Sequence, residues 1–265
     1  MGVNKNIMTS DKNQKIYYYK SFNDDFIQSK NQNYQLKENY EWINNNISYK
    51  ICSKILYCLA YIFGFFYNKF ILHVKFENKK ILKKYKNSGY FMYGNHTQPI
   101  GDIFNPALVC SPKRIYAIVS PANLGVACIG PLLPMLGALP VPNNVTGTKK
   151  LFSSIVKRIQ QKNCVVIYPE GHVWEYYTKI RPFSSTSFKF PVYCNVPAFC
   201  MTTTYYKRKF SKKPGIIVYI DGPFIPDEAL SKKENEEKIH KQIYDCMQNR
   251  SKNSRYEYIK YEKGE

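Results

Sequence analysis

Tyr90-Phe91-Met92-Tyr93-Gly94-Asn95-His96-Thr97-Gln98-Pro99-Ile100-Gly101-Asp102 fixes how the rest of the chain is read. Its first four residues form an unbroken apolar run of the kind that fills a strand buried on both faces. Pro99 and Gly101 exclude regular helix from the residues after that run. His96 and Asp102 therefore belong to a turn at a strand end, where loops carry chemistry. A carboxylate held against an imidazole fixes its tautomer and stabilises the imidazolium formed when it takes a proton. The pair is a candidate general base and its orienter. The plainer readings are a hydrogen-bonded loop histidine and an N-cap for a helix beginning near Ile103.

Farther along, Val165-Val166-Ile167-Tyr168-Pro169-Glu170-Gly171 again runs a hydrophobic strand into a turn that carries an acid. Together the two segments resemble the glycerolipid acyltransferases, whose best-known members are the 1-acyl-sn-glycerol-3-phosphate acyltransferases of PlsC type. That family has an Asn-His with a downstream Asp as its first block and an aromatic-Pro-Glu-Gly strand end as its third. Leu136–Val141 and Val196-Pro197-Ala198 are weaker matches to the second and fourth blocks, so the resemblance covers roughly residues 75–222. It implies transfer of a fatty acyl group from acyl-CoA or acyl-carrier protein to the 2-hydroxyl of 1-acylglycerol 3-phosphate, with His96 and Asp102 catalytic. Asn95, Glu170 and Gly171 would build the substrate site. No metal or organic cofactor is implied.

The match has three departures. Five residues, Thr97 to Gly101, separate His96 from Asp102, one more than the family's usual spacing. A turn can bulge to absorb one residue, whereas on a helix the insertion would rotate Asp102 by ~100°. Pro142-Asn143-Asn144 stands where the family's second block carries an Arg, and Gly171-His172-Val173 where the third continues Gly-Thr-Arg. Phosphate binding then falls to neighbouring cations. Lys179 and Arg181 are the local candidates, Arg being suited to bidentate contact, with Lys189 a weaker third. The plainer reading of each is a solvated surface cation. Glycerol 3-phosphate or another lysolipid is the alternative acceptor. His172 and Trp174 come after the second turn and would shape the pocket.

The chain carries 39 Lys and Arg against 19 Asp and Glu, a net charge of +20. Such a field attracts acidic lipid, phosphorylated ligands or nucleic acid. The cations are dispersed and no nucleic-acid-binding module is visible, so a non-catalytic basic binder is the weaker reading. Eight cysteines without a Cys-x-x-Cys pair suit a reducing compartment better than a disulfide framework, and the four histidines show no zinc-ligand spacing with them.

The remaining organisation reads from composition and periodicity. Residues 1–40 are polar and Asn/Lys-rich, with no signal peptide, and are expected to be mobile. Residues 41–72 form a membrane-associated helical segment. Its uncharged core, Ile55–Tyr67, is shorter than the ~20 residues of a spanning helix, which favours an interfacial or half-embedded helix over a buried core helix. Residues 73–249 form the acyltransferase-like domain, and 250–265 a frayed polar tail. Strands are expected at 73–77, 88–93, 114–119, 138–141, 164–168, 197–205 and 215–220. Helices are expected at 149–162, with Leu151, Ile155, Val156 and Ile159 on one face, and at about 227–249, beginning after Pro226. Strands alternating with helices define an α/β layered fold with a mixed, largely parallel sheet flanked by helices. The small, Gly- and Pro-broken stretch Pro121–Leu136 either lines an acyl-chain tunnel, lies against a bilayer or is plain core. The expected partners are a membrane phospholipid surface, the acyl donor and a lysophospholipid, at the cytoplasmic face. Nucleic acid is not expected.

Overall fold

The computed structural model describes residues 9–10, 14–27 and 33–264. Ten strands run β1 (Thr9–Ser10), β2 (Gln14–Tyr19), β3 (Val74–Glu77), β4 (Tyr90–Gly94), β5 (Ile115–Val119), β6 (Ala138–Pro140), β7 (Cys164–Ile167), β8 (Ala198–Tyr206), β9 (Gly215–Phe224) and β10 (Ile259–Lys263). The α-helices are α1 (Ile47–Phe66), α2 (Gly101–Cys110), α3 (Leu133–Leu136), α4 (Val145–Gln160), α5 (Lys189–Cys194) and α6 (Lys232–Ser251).

The main sheet has seven strands in the order β3-β9-β8-β4-β7-β5-β6, and only the β8–β9 pair is antiparallel. This is the expected mixed, largely parallel α/β sheet. Its centre is β4, whose residues Tyr90, Phe91, Met92 and Tyr93 are at most 1 % exposed, because parallel strands are covered on both faces. Phe91 and Tyr93 face a core shared with Leu151, Ile155 and Ile159 of α4 and Ile239, Ile243 and Met247 of α6. Tyr90 and Met92 face the opposite core, with Val166, Phe199 and Val218. The apolar stripes of α4 and α6 thus pack where their periodicity directs.

Helix α6 begins later than expected. Ser231 caps it and exchanges hydrogen bonds with Glu234, a capping box that outweighs the acidic pair after Pro226. Asp227 instead accepts from Lys238 and the Ala229 amide.

Helix α1 is longer than its uncharged core. Asn46 caps it, and after Phe66 a π-helical turn carries it to Leu72, past Lys69. Ile47–Leu72 is 26 residues, long and apolar enough to cross a membrane by length and composition, and little of it is buried. That excludes the core-helix reading. Ile47, Ile51, Ile55, Leu59, Ile62, Phe66 and Phe70 form an exposed stripe along one face. The other face rests on the domain. There Ser53 Oγ donates to the Met135 carbonyl at 2.6 Å, and Gly64 lies so close to the Phe104 ring that a Cβ would meet it at 2.5 Å. In the Pro121–Leu136 stretch Ala122, Leu124 and Gly130 are buried while Ile129 and Leu132 are exposed, so it has both a core side and an outward side.

The chain ends correct the sequence reading. Part of 1–40, including residues 1–8, 11–13 and 28–32, lies outside the described residues. Strand β2, however, pairs in parallel with β10, from Lys15 opposite Ile259 to Tyr19 opposite Lys263. Residues 14–27 are thus not a loose segment, and residues 259–263 are not a frayed tail. Tyr19, Phe22, Phe26 and Tyr261 crowd around Trp174, and that aromatic burial outweighs the polar composition of both ends.

Candidate active site

The site is assembled at the C-terminal ends of β4 and β7, where open parallel sheets bind ligands. Beyond β4, Asn95 continues the ladder with its side chain. Its amide nitrogen donates to the Thr203 carbonyl (3.1 Å) and its Oδ1 accepts from the Thr203 N–H (2.8 Å). Asn95 therefore stands in for a peptide unit, and both polar atoms are committed inside the protein, which corrects its expected contact with substrate.

The next residue turns away from the sheet. His96 Nδ1 lies 2.9 Å from Asp102 Oδ2. A carboxylate acceptor selects the tautomer protonated at Nδ1, so Nε2 carries the lone pair. The same Oδ2 accepts from the backbone N–H groups of Thr97 and Gln98, each at 2.9 Å. Asp102 is in the first turn of α2, after Gly101, so it does not serve as an N-cap. The turn wraps around its carboxylate. The imidazole keeps 20 % of its side-chain surface exposed, whereas the Asp102 side chain keeps 2 %.

Two tyrosines that sequence reasoning missed hold this turn. The Tyr168 ring stacks on the imidazole, with centroids 4.4 Å apart and planes 17° apart, and its hydroxyl donates to the Asp102 carbonyl at 2.7 Å. The Tyr205 hydroxyl meets Thr97 Oγ1 at 2.6 Å and accepts from the Gln98 side-chain amide at 3.0 Å. Burial, with a further push from the Asp102 carboxylate, raises both hydroxyls well above the usual tyrosine range, so they remain protonated. Tyr168 was legible as the aromatic before Pro169-Glu170. Nothing local marked Tyr205.

Glu170 is buried and faces inward. Oε2 accepts from the His96 N–H (3.1 Å) and from Arg181 Nη2 (3.1 Å), and Oε1 accepts from the Arg181 N–H (3.0 Å). Arg181 is 0 % exposed; it also donates to the carbonyls of His172 and Phe22 and lies 4.8 Å from the Trp174 ring. This corrects the expectation that Arg181 reaches a phosphate, because its guanidinium neutralises Glu170 and is closed off from solvent. Gly171 takes φ +79°, the conformation that suits glycine, and Lys179 is exposed on the loop after it. His172 is half exposed, with Nδ1 3.6 Å from Asp25. Trp174 N–H donates to the His96 carbonyl and Tyr176 N–H to the Thr97 carbonyl, so the two turns are laced backbone to backbone.

Elsewhere, Cys200, Cys246 and Asp221 place one ligand atom each within 4.8 Å of the others. Arg250 occupies both oxygens of Asp221, at 2.6 and 2.8 Å, which leaves that carboxylate committed to an ion pair.

A nucleophilic hydroxyl presented to His96 Nε2 would lose its proton to a base whose orientation and tautomer are already set. Among solved structures, the chain is similar to the 1-acyl-sn-glycerophosphate (LPA) acyltransferase PlsC from Thermotoga maritima, with TM-score 0.53 and 13 % identity over 78 % of this chain and 84 % of that one. At this identity the likeness shows the fold: an α/β sheet of PlsC type with a long apolar helix near its N-terminal end. No protein-family model and no curated protein matches the chain.

Proposed function

We propose that this protein is a membrane-associated glycerolipid O-acyltransferase. It moves a fatty acyl group from acyl-CoA or acyl-carrier protein to the 2-hydroxyl of 1-acylglycerol 3-phosphate, giving phosphatidic acid. The observation that carries the reading is the 2.9 Å His96–Asp102 pair at a strand end of a PlsC-like fold. His96 Nε2 takes the acceptor's hydroxyl proton as the oxygen attacks the thioester carbonyl. The C–S bond then breaks, and the imidazolium returns its proton to the departing thiolate. Asp102 stabilises the imidazolium throughout. The acceptor attacks directly, so no enzyme nucleophile is used.

The exposed apolar stripe of α1 supports a site at a bilayer surface, as does the neighbouring exposure of Ile100 and Ile103 beside the catalytic turn. The cytoplasmic face is where both acyl donors are met. Glycerol 3-phosphate or another lysolipid is kept as a second acceptor, because Arg181, the best local arginine, is spent on Glu170. Lys179, exposed on the loop after Gly171, is the remaining local candidate for a phosphate contact.

Thiol release from acyl-CoA, measured with lysophosphatidic acid, glycerol 3-phosphate, lysophosphatidylcholine or buffer, tests the proposal. Release with lysophosphatidic acid that vanishes in His96→Ala is the expected result. Release with a different acceptor moves the substrate and keeps the chemistry. No acceptor-dependent release with acyl-CoA or acyl-carrier-protein donors overturns the enzyme reading.

A further inference from the structure

The loop joining β8 to β9 has a composition that the proposed chemistry does not use. It reads Lys207-Arg208-Lys209-Phe210-Ser211-Lys212-Lys213-Pro214: five cations, no acid and one aromatic. Phe210 is 91 % exposed, more than any other exposed large hydrophobic side chain among the described residues, and Lys209 Nζ stands 5.2 Å from its ring centroid. An aromatic placed at the tip of a basic hairpin costs solubility and returns nothing to the fold.

Strand register shows where this tip points. Tyr206 pairs with Gly215 at the hairpin's base, and the neighbouring Ile216 pairs with Val74, the first residue of β3. The apolar helix ends at Leu72, immediately before that strand, and Lys75 Nζ lies 5.7 Å from the Tyr206 ring centroid. On the other side, the Tyr205 hydroxyl bonds Thr97 and Gln98 of the catalytic turn. The basic tip, the end of the exposed apolar stripe (Phe66, Phe70) and the His96 turn therefore share one end of the sheet.

We propose that the β8–β9 hairpin is a second membrane contact, in which Phe210 enters the interface of an anionic bilayer while the surrounding Lys and Arg meet lipid phosphates. Charge complementarity and continuity with the apolar helix select this partner. A bilayer takes both apolar side chains and cations on one surface, whereas nucleic acid gains nothing from the helix stripe. The contact rests on the membrane association proposed above, but not on the catalytic role of His96.

Flotation of the full chain with vesicles tests it, using pure phosphatidylcholine and phosphatidylcholine mixed with phosphatidylglycerol. Wild type and His96→Ala should bind the anionic vesicles equally well and more tightly than the neutral ones, with an advantage that shrinks as salt rises. The triple variant Lys209→Gln/Lys212→Gln/Lys213→Gln should lose roughly 10²-fold on anionic vesicles, at about fivefold per cation, and little on neutral ones. Phe210→Ser should lose about tenfold on both. Phe210→Trp should show a blue-shifted emission on anionic vesicles. Wild-type binding that neither loop variant weakens overturns the hairpin contact while leaving α1 as the anchor. Wild type that binds neither vesicle overturns membrane association altogether. A triple variant that floats normally but loses turnover only with an acyl-carrier-protein donor also overturns the proposal, and makes an acidic protein the loop's partner.

Discussion

Two carboxylates lie beyond the ends of neighbouring parallel strands, Asp102 in the first turn of α2 and Glu170 in the turn after β7, with opposite fates. Asp102 gathers three N–H donors on one oxygen, and its third partner is an imidazole that still reaches solvent. Glu170 gathers an arginine side chain, the arginine's own N–H and the His96 N–H, with nothing left exposed. The first arrangement orients a group that can change its protonation state. The second neutralises a charge that could not otherwise remain buried. The residue type at a strand end therefore does not decide its role; the exposure of its partner does.

The sharpest break of this contrast is His96→Ala. Loss of a positioned base should lower acyl transfer by roughly 10²–10⁴-fold with the melting temperature unchanged. A comparable loss of stability instead would make the first turn a brace like the second. Arg181→Ala should do the opposite, costing about 3–5 kcal/mol because it leaves the Glu170 carboxylate buried without its partner. Denaturant unfolding reads this directly, and a normally stable variant would show that the second turn tolerates an open charge. Removing both partners, in Glu170→Gln/Arg181→Met, should recover much of that stability, since a neutral pair has no charge to bury. Tyr168→Phe sharpens the comparison at the smallest scale. It keeps the ring on His96 but drops the bond to the Asp102 carbonyl, worth about 1 kcal/mol. We expect a fewfold fall in kcat with KM unchanged, and a rise in KM alone would assign Tyr168 to substrate binding instead.

Much of this frame was legible in the linear chain, because its signals are local. The apolar runs at 90–93 and 164–167, the stripe of α4 and the break at Pro99 all act over a few residues, although Gly101, expected to exclude helix, opens α2. The His96–Asp102 contact was legible as a candidate, since a spacer broken by Pro99 lets the two side chains meet. Arg181 was not: whether an arginine meets a phosphate or a buried glutamate depends on which side of the loop the sheet presents. Asn95 was hidden for a similar reason, because its partner Thr203 lies on β8, far along the chain. The paired chain ends were hidden by composition. Lys, Gln and Glu in β2 and β10 look solvated until Trp174 supplies a surface for the tyrosines between them. The capping box Ser231–Glu234 is a local signal, but the acidic pair after Pro226 competes with it in the linear chain.

The pairing of β2 with β10 also sets an order of assembly. Lys15 and Ile259 are partners across almost the whole chain, so closing that pair costs more loop entropy than the neighbouring strand pairs of the main sheet. During synthesis, β10 leaves the ribosome after every strand of the main sheet. The main sheet contains no residue of β10, whereas Trp174 depends on it for the Tyr261 ring that stacks on the indole, 5.0 Å away. A chain cut before β10 should therefore keep every strand of the main sheet while the indole beside Arg181 loses one of its stacked faces.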